Sequence, residues 1–502
     1  MNILEVISDQ HQARCMGVEG HAQAITPYMD RLAREGVRFT RAYTQNPICT
    51  PSRVSVLSGR YCHNHGYYAL GGPQPQNLPN LFGHFRRHGY HTAGIGKLHL
   101  PDDPTDWAFD DCDLWADCYR RPHRALRERE PRRSAYTDYL EELGLLELED
   151  STHIHDCPPD WRQQQCYARP SRLPFEHCVE GWCVQRAVRF MEACEDQPFY
   201  LHVSLPRPHT AHTPDRRFWE MYDPDLDLPT TFEADPSGRP PHFQEMFRLM
   251  RRTAASRGEP PETVARRVWR GYLACITQVD HALGLLLESL ERLGLAEDTA
   301  VIYHADHGAY HMCHGIQEKA PGISSDLICR IPFLWRVPGV SAPGHVNKEL
   351  VENVDLAPTV TSLCGLPPMA AQDGYDLTGL LRGGERALRQ VAVTEHPWSK
   401  ALRFGPWRYV HYPPRMFGGR DVGELYHLER DPDETSNLYH DPAHQEVAGQ
   451  CRRLLLDWLI DTHRPVTSWR DQAALGRHAV VRPADDTPEA LSTLYDSSLV
   501  HI

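Results

Sequence analysis

Short apolar runs, each closed by a polar residue, recur along this chain with helical patterns between them. That alternation constrains the fold more than any other feature. Asn2 to Ser8 ends in Asp9-Gln10, and His91 to Gly96 in Lys97-Leu98-His99. Phe199 to Leu205 runs into Pro206-Arg207-Pro208-His209, and Thr299 to His304 into Ala305-Asp306-His307-Gly308. Apolar runs without a polar alternation read as parallel strands buried on both faces. Val37 to Ala42 reads as a further strand. Thr26 to Ala33, Leu78 to Gly89, Val184 to Cys194 and Val264 to Leu293 read as helices, with Thr26 as a cap and Pro27 in the first turn. The order predicts a doubly wound, mainly parallel α/β sheet with polar residues gathered at its carboxyl edge.

A chain of 502 residues exceeds one ordinary core, so two domains are expected. Residues 1–370 carry the strand–helix alternation. After about residue 370 the runs Val391 to Glu395, Ala401 to Phe404, Trp407 to Tyr412 and Glu424 to Leu428 have hairpin spacing and predict a small antiparallel sheet within a 371–502 subdomain. Residues 101–175 are rich in Asp, Arg, Pro and Trp and read as an inserted excursion near the mouth of the site. The tail from Pro465 is expected to wrap the chain or to join a neighbouring subunit in a homo-oligomer.

The formal charge is −14, which argues against a nucleic-acid partner. Any anion site must be built locally from a few basic groups or a metal. No basic n-region with an apolar segment and cleavage site opens the chain, and no run of about 18 apolar residues occurs. A cytoplasmic protein with no membrane span is expected, its 15 cysteines reduced thiols rather than a disulfide framework.

Asp9-Gln10 and Asp306-His307 both follow strands, so their oxygen and nitrogen donors can converge on one hard divalent cation: Ca²⁺ first, with Mg²⁺ or Mn²⁺ as alternatives. Between them lies Cys49-Thr50-Pro51-Ser52-Arg53, and the pattern from Pro51 to Ser58 predicts a helix starting just beyond the cysteine. A helix N-terminus at that point favours an anion beside residue 49.

The Cys-x-Pro-x-Arg segment resembles the signature of the type I, formylglycine-dependent sulfatases of the alkaline phosphatase superfamily. Ile7 to Gln10, Leu57-Ser58-Gly59-Arg60, Gly96 to His99, Val279-Asp280, Ala305 to Gly308, Arg330-Ile331-Pro332, Val354 to Thr359 and Glu424 to Leu428 with Asp431-Pro432 are similar to that family's blocks, in the same order. The resemblance implies an alkaline-phosphatase-like fold and hydrolysis of a small-molecule or saccharide sulfate ester. It implies that a maturation enzyme oxidises Cys49 to formylglycine. By the same resemblance Asp9, Gln10, residue 49, Asp306 and His307 would bind the metal, and Arg53 would hold the aldehyde hydrate. Lys97 and Lys319 would meet sulfate oxygens, His209 would aid the leaving group, and His99 would take the proton that frees the product.

Two departures point to a neighbouring branch. Many sulfatases carry two adjacent acids where this chain has Asp9-Gln10, and an amide where it has His307. Both features, with Asn64 as a substrate contact, resemble phosphonate monoester hydrolases and choline-sulfatases, so a phosphonate monoester or phosphodiester hydrolase is the alternative activity. A thiolate hydrolase with an unmodified Cys49, and a binding protein on a disabled scaffold, are more distant readings. His212 is expected at the rim of the site. His311 and His314 are expected as loop residues or substrate contacts rather than as a zinc site with His304. Trp107, Trp115, Trp161 and Tyr119 are candidates to stack on a sugar or aryl group.

Overall fold

The computed structural model describes residues 1–68, 70, 78–100, 112–118, 134–149, 166–194, 197–319 and 323–463. An eight-stranded sheet runs in the order Leu114–Asp117, His91–Gly96, Phe199–Pro208, Asn2–Asp9, Thr299–Ala305, Phe333–Arg336, Val37–Phe39, His345–Asn347. The first five strands are mutually parallel, and Phe333–Arg336 is antiparallel to both of its neighbours. The sheet is therefore mainly parallel, as the alternation predicts.

Successive side chains of a strand point to opposite faces. Leu4 and Val6 join Ala93, Ile95, Leu201, Val203, Val301 and Tyr303 in one apolar layer, covered by helices Pro27–Glu35, Val179–Ala193 and Pro261–Arg292. Ile3, Tyr200, Ala300 and Ile302 face the other way, under helices Cys49–Ser58, Leu81–Arg87 and Leu356–Leu363. Pro261–Arg292 is the one described helix long and apolar enough to cross a membrane; 78% of its most apolar 18-residue window is buried inside the fold.

Four antiparallel strands, Val391–His396, Ser399–Phe404, Trp407–His411 and Gly423–His427, form a separate sheet packed against helix Gln445–Thr462. The fourteen described cysteines are unpaired thiols.

Several local expectations change. The run Val37 to Ala42 splits: Val37–Phe39 stays in the main sheet, and Ala42–Tyr43 pairs with Val351–Glu352. Thr26 makes no cap bond from its side chain; Asp280, from the long helix, accepts the N–H groups of Tyr28 at 3.2 Å and Met29 at 2.7 Å instead. The stretch 101–175, read as an excursion, carries regular elements. It supplies the edge strand Leu114–Asp117, where Trp115 packs edge-on to Phe82, and the helix Ala135–Glu142. Trp107, Tyr119, Trp161 and the tail from Pro465 lie outside the described residues. Helix Pro241–Ser256 has no counterpart in the sequence reading.

Candidate active site

Four parallel strands deliver the site. Asp9 closes the central strand, Asp306 follows its neighbour Thr299–Ala305, His209 follows Phe199–Pro208, and Lys97 follows His91–Gly96. Two close approaches make these turns possible. At Gly96 (φ 101°) a Cβ would lie 1.9 Å from the carbonyl oxygen of Ser204, and at Gly308 it would lie 2.0 Å from that of Leu327. Gln10 itself sits in the left-handed region (φ 65°), which turns the chain sharply after the strand.

The sequence places the helix start after Cys49; the structure places it at Cys49, with Ile48 as the flanking residue. The thiol is thereby set in the first turn and is 1% exposed. Donor atoms of Asp9, Cys49, Asp306 and His307 all lie within 4.8 Å of one another, the one such group among the described residues. Cys49 Sγ is 3.3 Å from His307 Nε2, 3.8 Å from Asp9 Oδ1 and 3.1 Å from Lys319 Nζ.

Arg53, one helical turn on and 2% exposed, ties this group together. It donates from Nη2 to Asp9 Oδ2 at 2.9 Å, from Nε to Asp306 Oδ2 at 3.1 Å, and from Nη1 to the Lys97 carbonyl and Ser204 Oγ, both at 2.7 Å. Nη2 also lies 3.0 Å from Asp306 Oδ2. A guanidinium has five N–H donors in a fixed fork, and these contacts engage the whole of it. In this structure it positions the two carboxylates beside Cys49.

The donor chemistry fits a hard cation. Asp306 Oδ1 accepts the backbone N–H of His307 at 2.8 Å and of Gln10 at 3.1 Å, which fixes the carboxylate plane. His307 Nδ1 donates to the Gly308 carbonyl at 2.7 Å, so its Nε2 lone pair faces the cluster. Gln10 Oε1 is buried with no hydrogen-bond partner, an acceptor in want of a positive group.

Electrostatics follow from burial and close charge. Burial opposes ionisation of Asp9, but Lys97 (Nζ 2.8 Å from Oδ2), His209 and Arg53 outweigh it and hold the carboxyl well below the usual range. Burial and the Asp9 carboxylate push the Cys49 thiol up to about 11. Burial, then Lys319, brings His307 down to about 4, and burial with Lys97 brings His209 down to about 4. For Lys319 burial works downward, but Cys49, Glu318 and Asp9 hold the ammonium above its ordinary value. His209 and Lys319, beside the fully buried cluster, are slightly exposed.

Other expected residues fall differently. His99 is buried in the turn after Lys97, with φ 45°. His212 is no rim residue: it is fully buried and stands edge-on to Tyr272 and His311. Asn64 directs its amide nitrogen to Asp373 Oδ2 and the Thr462 carbonyl, both at 2.9 Å, so it ties the short Cys62–His65 helix to the C-terminal helix. His304 donates from Nε2 to Glu5 at 2.8 Å, inside the sheet, and the His311 ring lies against Tyr272, tilted by 31° with ring centres 3.9 Å apart.

Glu318, Thr210 and Ser204 went unnoticed in the sequence. Glu318 Oε1 accepts from Gln10 Nε2 at 3.1 Å and Thr210 Oγ1 at 2.5 Å, and lies 3.8 Å from His209 Nε2. Burial opposes its ionisation, but His209 and Lys319 bring it down to about 2. Its adjacency to Lys319 was the available signal.

Residues 1–366 match the family described as Sulfatase, and residues 324–459 match the C-terminal region of N-sulphoglucosamine sulphohydrolase. An arylsulfatase of Clostridium perfringens is 26% identical over 91% of this chain and 93% of its own length. A choline-sulfatase of Rhizobium meliloti is 26% identical over 88% of this chain and 83% of its own. The crystal structure of a phosphonate monoester hydrolase of Agrobacterium radiobacter superposes with a TM-score of 0.74 at 21% identity, covering 92% of this chain and 96% of that one.

Proposed function

This chain belongs to the sulfatase family, and from that premise we propose that it hydrolyses a sulfate monoester of an alcohol, phenol or sugar at Cys49 after oxidation of that residue to formylglycine. The observation that carries the proposal is the convergence of Asp9, Asp306 and His307 on the Cys49 position. A divalent cation held by these groups, Ca²⁺ before Mn²⁺ or Mg²⁺, would lower the pKa of a bound hydroxyl and offset sulfate charge. A hydrated aldehyde offers one hydroxyl for attack on sulfur and a second whose deprotonation expels sulfate without attack by water.

The chain's own groups supply the rest. Lys319 reaches the Cys49 position and Lys97 lies against Asp9, so two ammonium groups flank the place where sulfate oxygens must sit. His209 donates from Nδ1 to the Thr210 carbonyl at 2.7 Å, which leaves Nε2 to carry the proton for the departing oxygen. Burial and Lys97 disfavour that proton; an anionic ester beside the ammonium groups offsets Lys97 and favours it. His99 would accept the proton that releases the product, and a formylglycine-generating enzyme is the implied maturation partner.

The second reading is a phosphonate monoester hydrolase, favoured by Gln10 and His307 in the donor set. Turnover of matured enzyme on 4-nitrophenyl sulfate and 4-nitrophenyl phenylphosphonate separates the two. Higher kcat/KM on the sulfate is expected; higher kcat/KM on the phosphonate overturns the proposal in favour of the second reading.

A further inference from the structure

We propose that Glu318 is a positioning residue that sets the flip of the Gln10 side-chain amide, so that the amide presents its carbonyl oxygen, and not its nitrogen, to the Asp9–Asp306–His307 cluster. The inference rests on the metal reading of that cluster. Position 10 faces a difficulty that an acid there would not. Either oxygen of a carboxylate can ligate a cation, whereas an amide has one oxygen and one NH₂ of nearly the same shape, and a half-turn about the last bond exchanges a ligand for a repelling donor.

The main chain of Gln10 is already fixed. Its N–H is bonded to Asp306 Oδ1 at 3.1 Å, and its carbonyl accepts from Tyr272 Oη at 3.0 Å. Those bonds leave the terminal amide free to turn. Glu318 removes that freedom, because a carboxylate at neutral pH only accepts and therefore demands Nε2. Thr210 Oγ1, donating to the same Glu318 oxygen at 2.5 Å, holds the carboxylate in turn. Gln10 is fully buried and Glu318 is 7% exposed, so bulk water does not compete for these bonds.

Calcium and manganese binding to the purified full-length protein, followed by calorimetry, tests this without reference to turnover. Glu318→Gln keeps the shape but lets residue 318 donate to Gln10 Oε1, so the wrong flip becomes available. It should weaken binding about 10- to 100-fold, the usual effect of disturbing a ligand's supporting partner. In a Gln10→Ala background the same change should cost about twofold or less, since no amide remains to be set. An equal loss in both backgrounds would mean that Glu318 acts only through its charge, and the proposal falls. Unchanged affinity of Glu318→Gln overturns it as well, while leaving the cation site standing. Failure of the wild-type protein to bind calcium, manganese or magnesium removes the site and this inference together. Gln10→Glu combined with Glu318→Gln should restore tight binding, because a carboxylate needs no flip; a double variant as weak as Glu318→Gln alone counts against the idea. Thermal melts of each variant identify a loss that reflects misfolding, and Glu318→Ala then replaces Glu318→Gln.

Discussion

Replacing Gly96 by alanine disturbs the site without touching any of its functional side chains. The new methyl group would stand 1.9 Å from the Ser204 carbonyl oxygen, on a backbone with φ 101°. That oxygen accepts the N–H of Lys97 at 2.8 Å. Holding a residue with a Cβ in such a conformation costs about 1–2 kcal/mol, and forcing a methyl into a filled space costs about 1–3 kcal/mol more. The sum, about 2–5 kcal/mol, is relieved only by parting strands His91–Gly96 and Phe199–Pro208. Movement there reaches Lys97, whose carbonyl accepts from Arg53 at 2.7 Å and Ser204 Oγ at 2.6 Å, and whose ammonium lies 2.8 Å from Asp9. A displacement of about 1 Å at a reacting group costs on the order of 100-fold in rate. Denaturant unfolding should show the stability loss, and steady-state kinetics should show kcat falling about 100-fold. A variant destabilised by less than about 1 kcal/mol, with kcat within about threefold of wild type, would refute the link from this glycine to Lys97.

Asp280→Ala should cost about 1–2 kcal/mol, because it strips two N–H groups at the start of helix Pro27–Glu35 of their acceptor; an unchanged unfolding midpoint would show that the helix needs no such cap. Burial raises the Asp280 carboxyl to about 7, so its contribution is present below the unfolded value and lost as pH rises through about 7. The stability gap between wild type and Asp280→Asn should therefore narrow from pH 4 to pH 7, and a constant gap would contradict the shift. Burial lowers His11 and His307 to about 4, and His65, His212, His314 and His396 to about 3. The stability these neutral rings contribute is present above about pH 6.5 and lost as pH falls toward 3; it outnumbers the opposing gain from Asp280, Glu352 and Glu434, so unfolding midpoints should drop steeply below pH 6, and a flat profile would refute this balance. Unmodified, metal-free protein should alkylate at Cys49 far more slowly at pH 7 than an exposed thiol, since the group is buried and pushed up to about 11; fast, site-specific alkylation would revive the thiolate reading.

What could be read from the chain alone is the layout of the sheet edge. A strand buried on both faces must be apolar, so Asn2–Asp9 and Thr299–Ala305 announce themselves, and the polar residue at each end is carried to the same edge by the parallel register. Asp9, Asp306 and His307 follow from that logic, Lys97 from the family resemblance of its block, and the small antiparallel sheet from its hairpin spacing. The strand Leu114–Asp117 was not, because four residues among Asp, Arg and Pro carry too short a pattern.

Only the tertiary structure decided who bonds to whom. Gln10 and Glu318 are 308 positions apart, and Asp280 caps a helix whose N–H groups lie 251 and 252 positions away. Arg53 bonds to two carboxylates from different strands, Asn64 bonds to Asp373, and His212 packs edge-on to His311. Local periodicity records which face of an element is apolar, because burial is a property of each residue. A hydrogen bond belongs to a pair brought within about 3 Å, and that pairing exists only once the layers have packed.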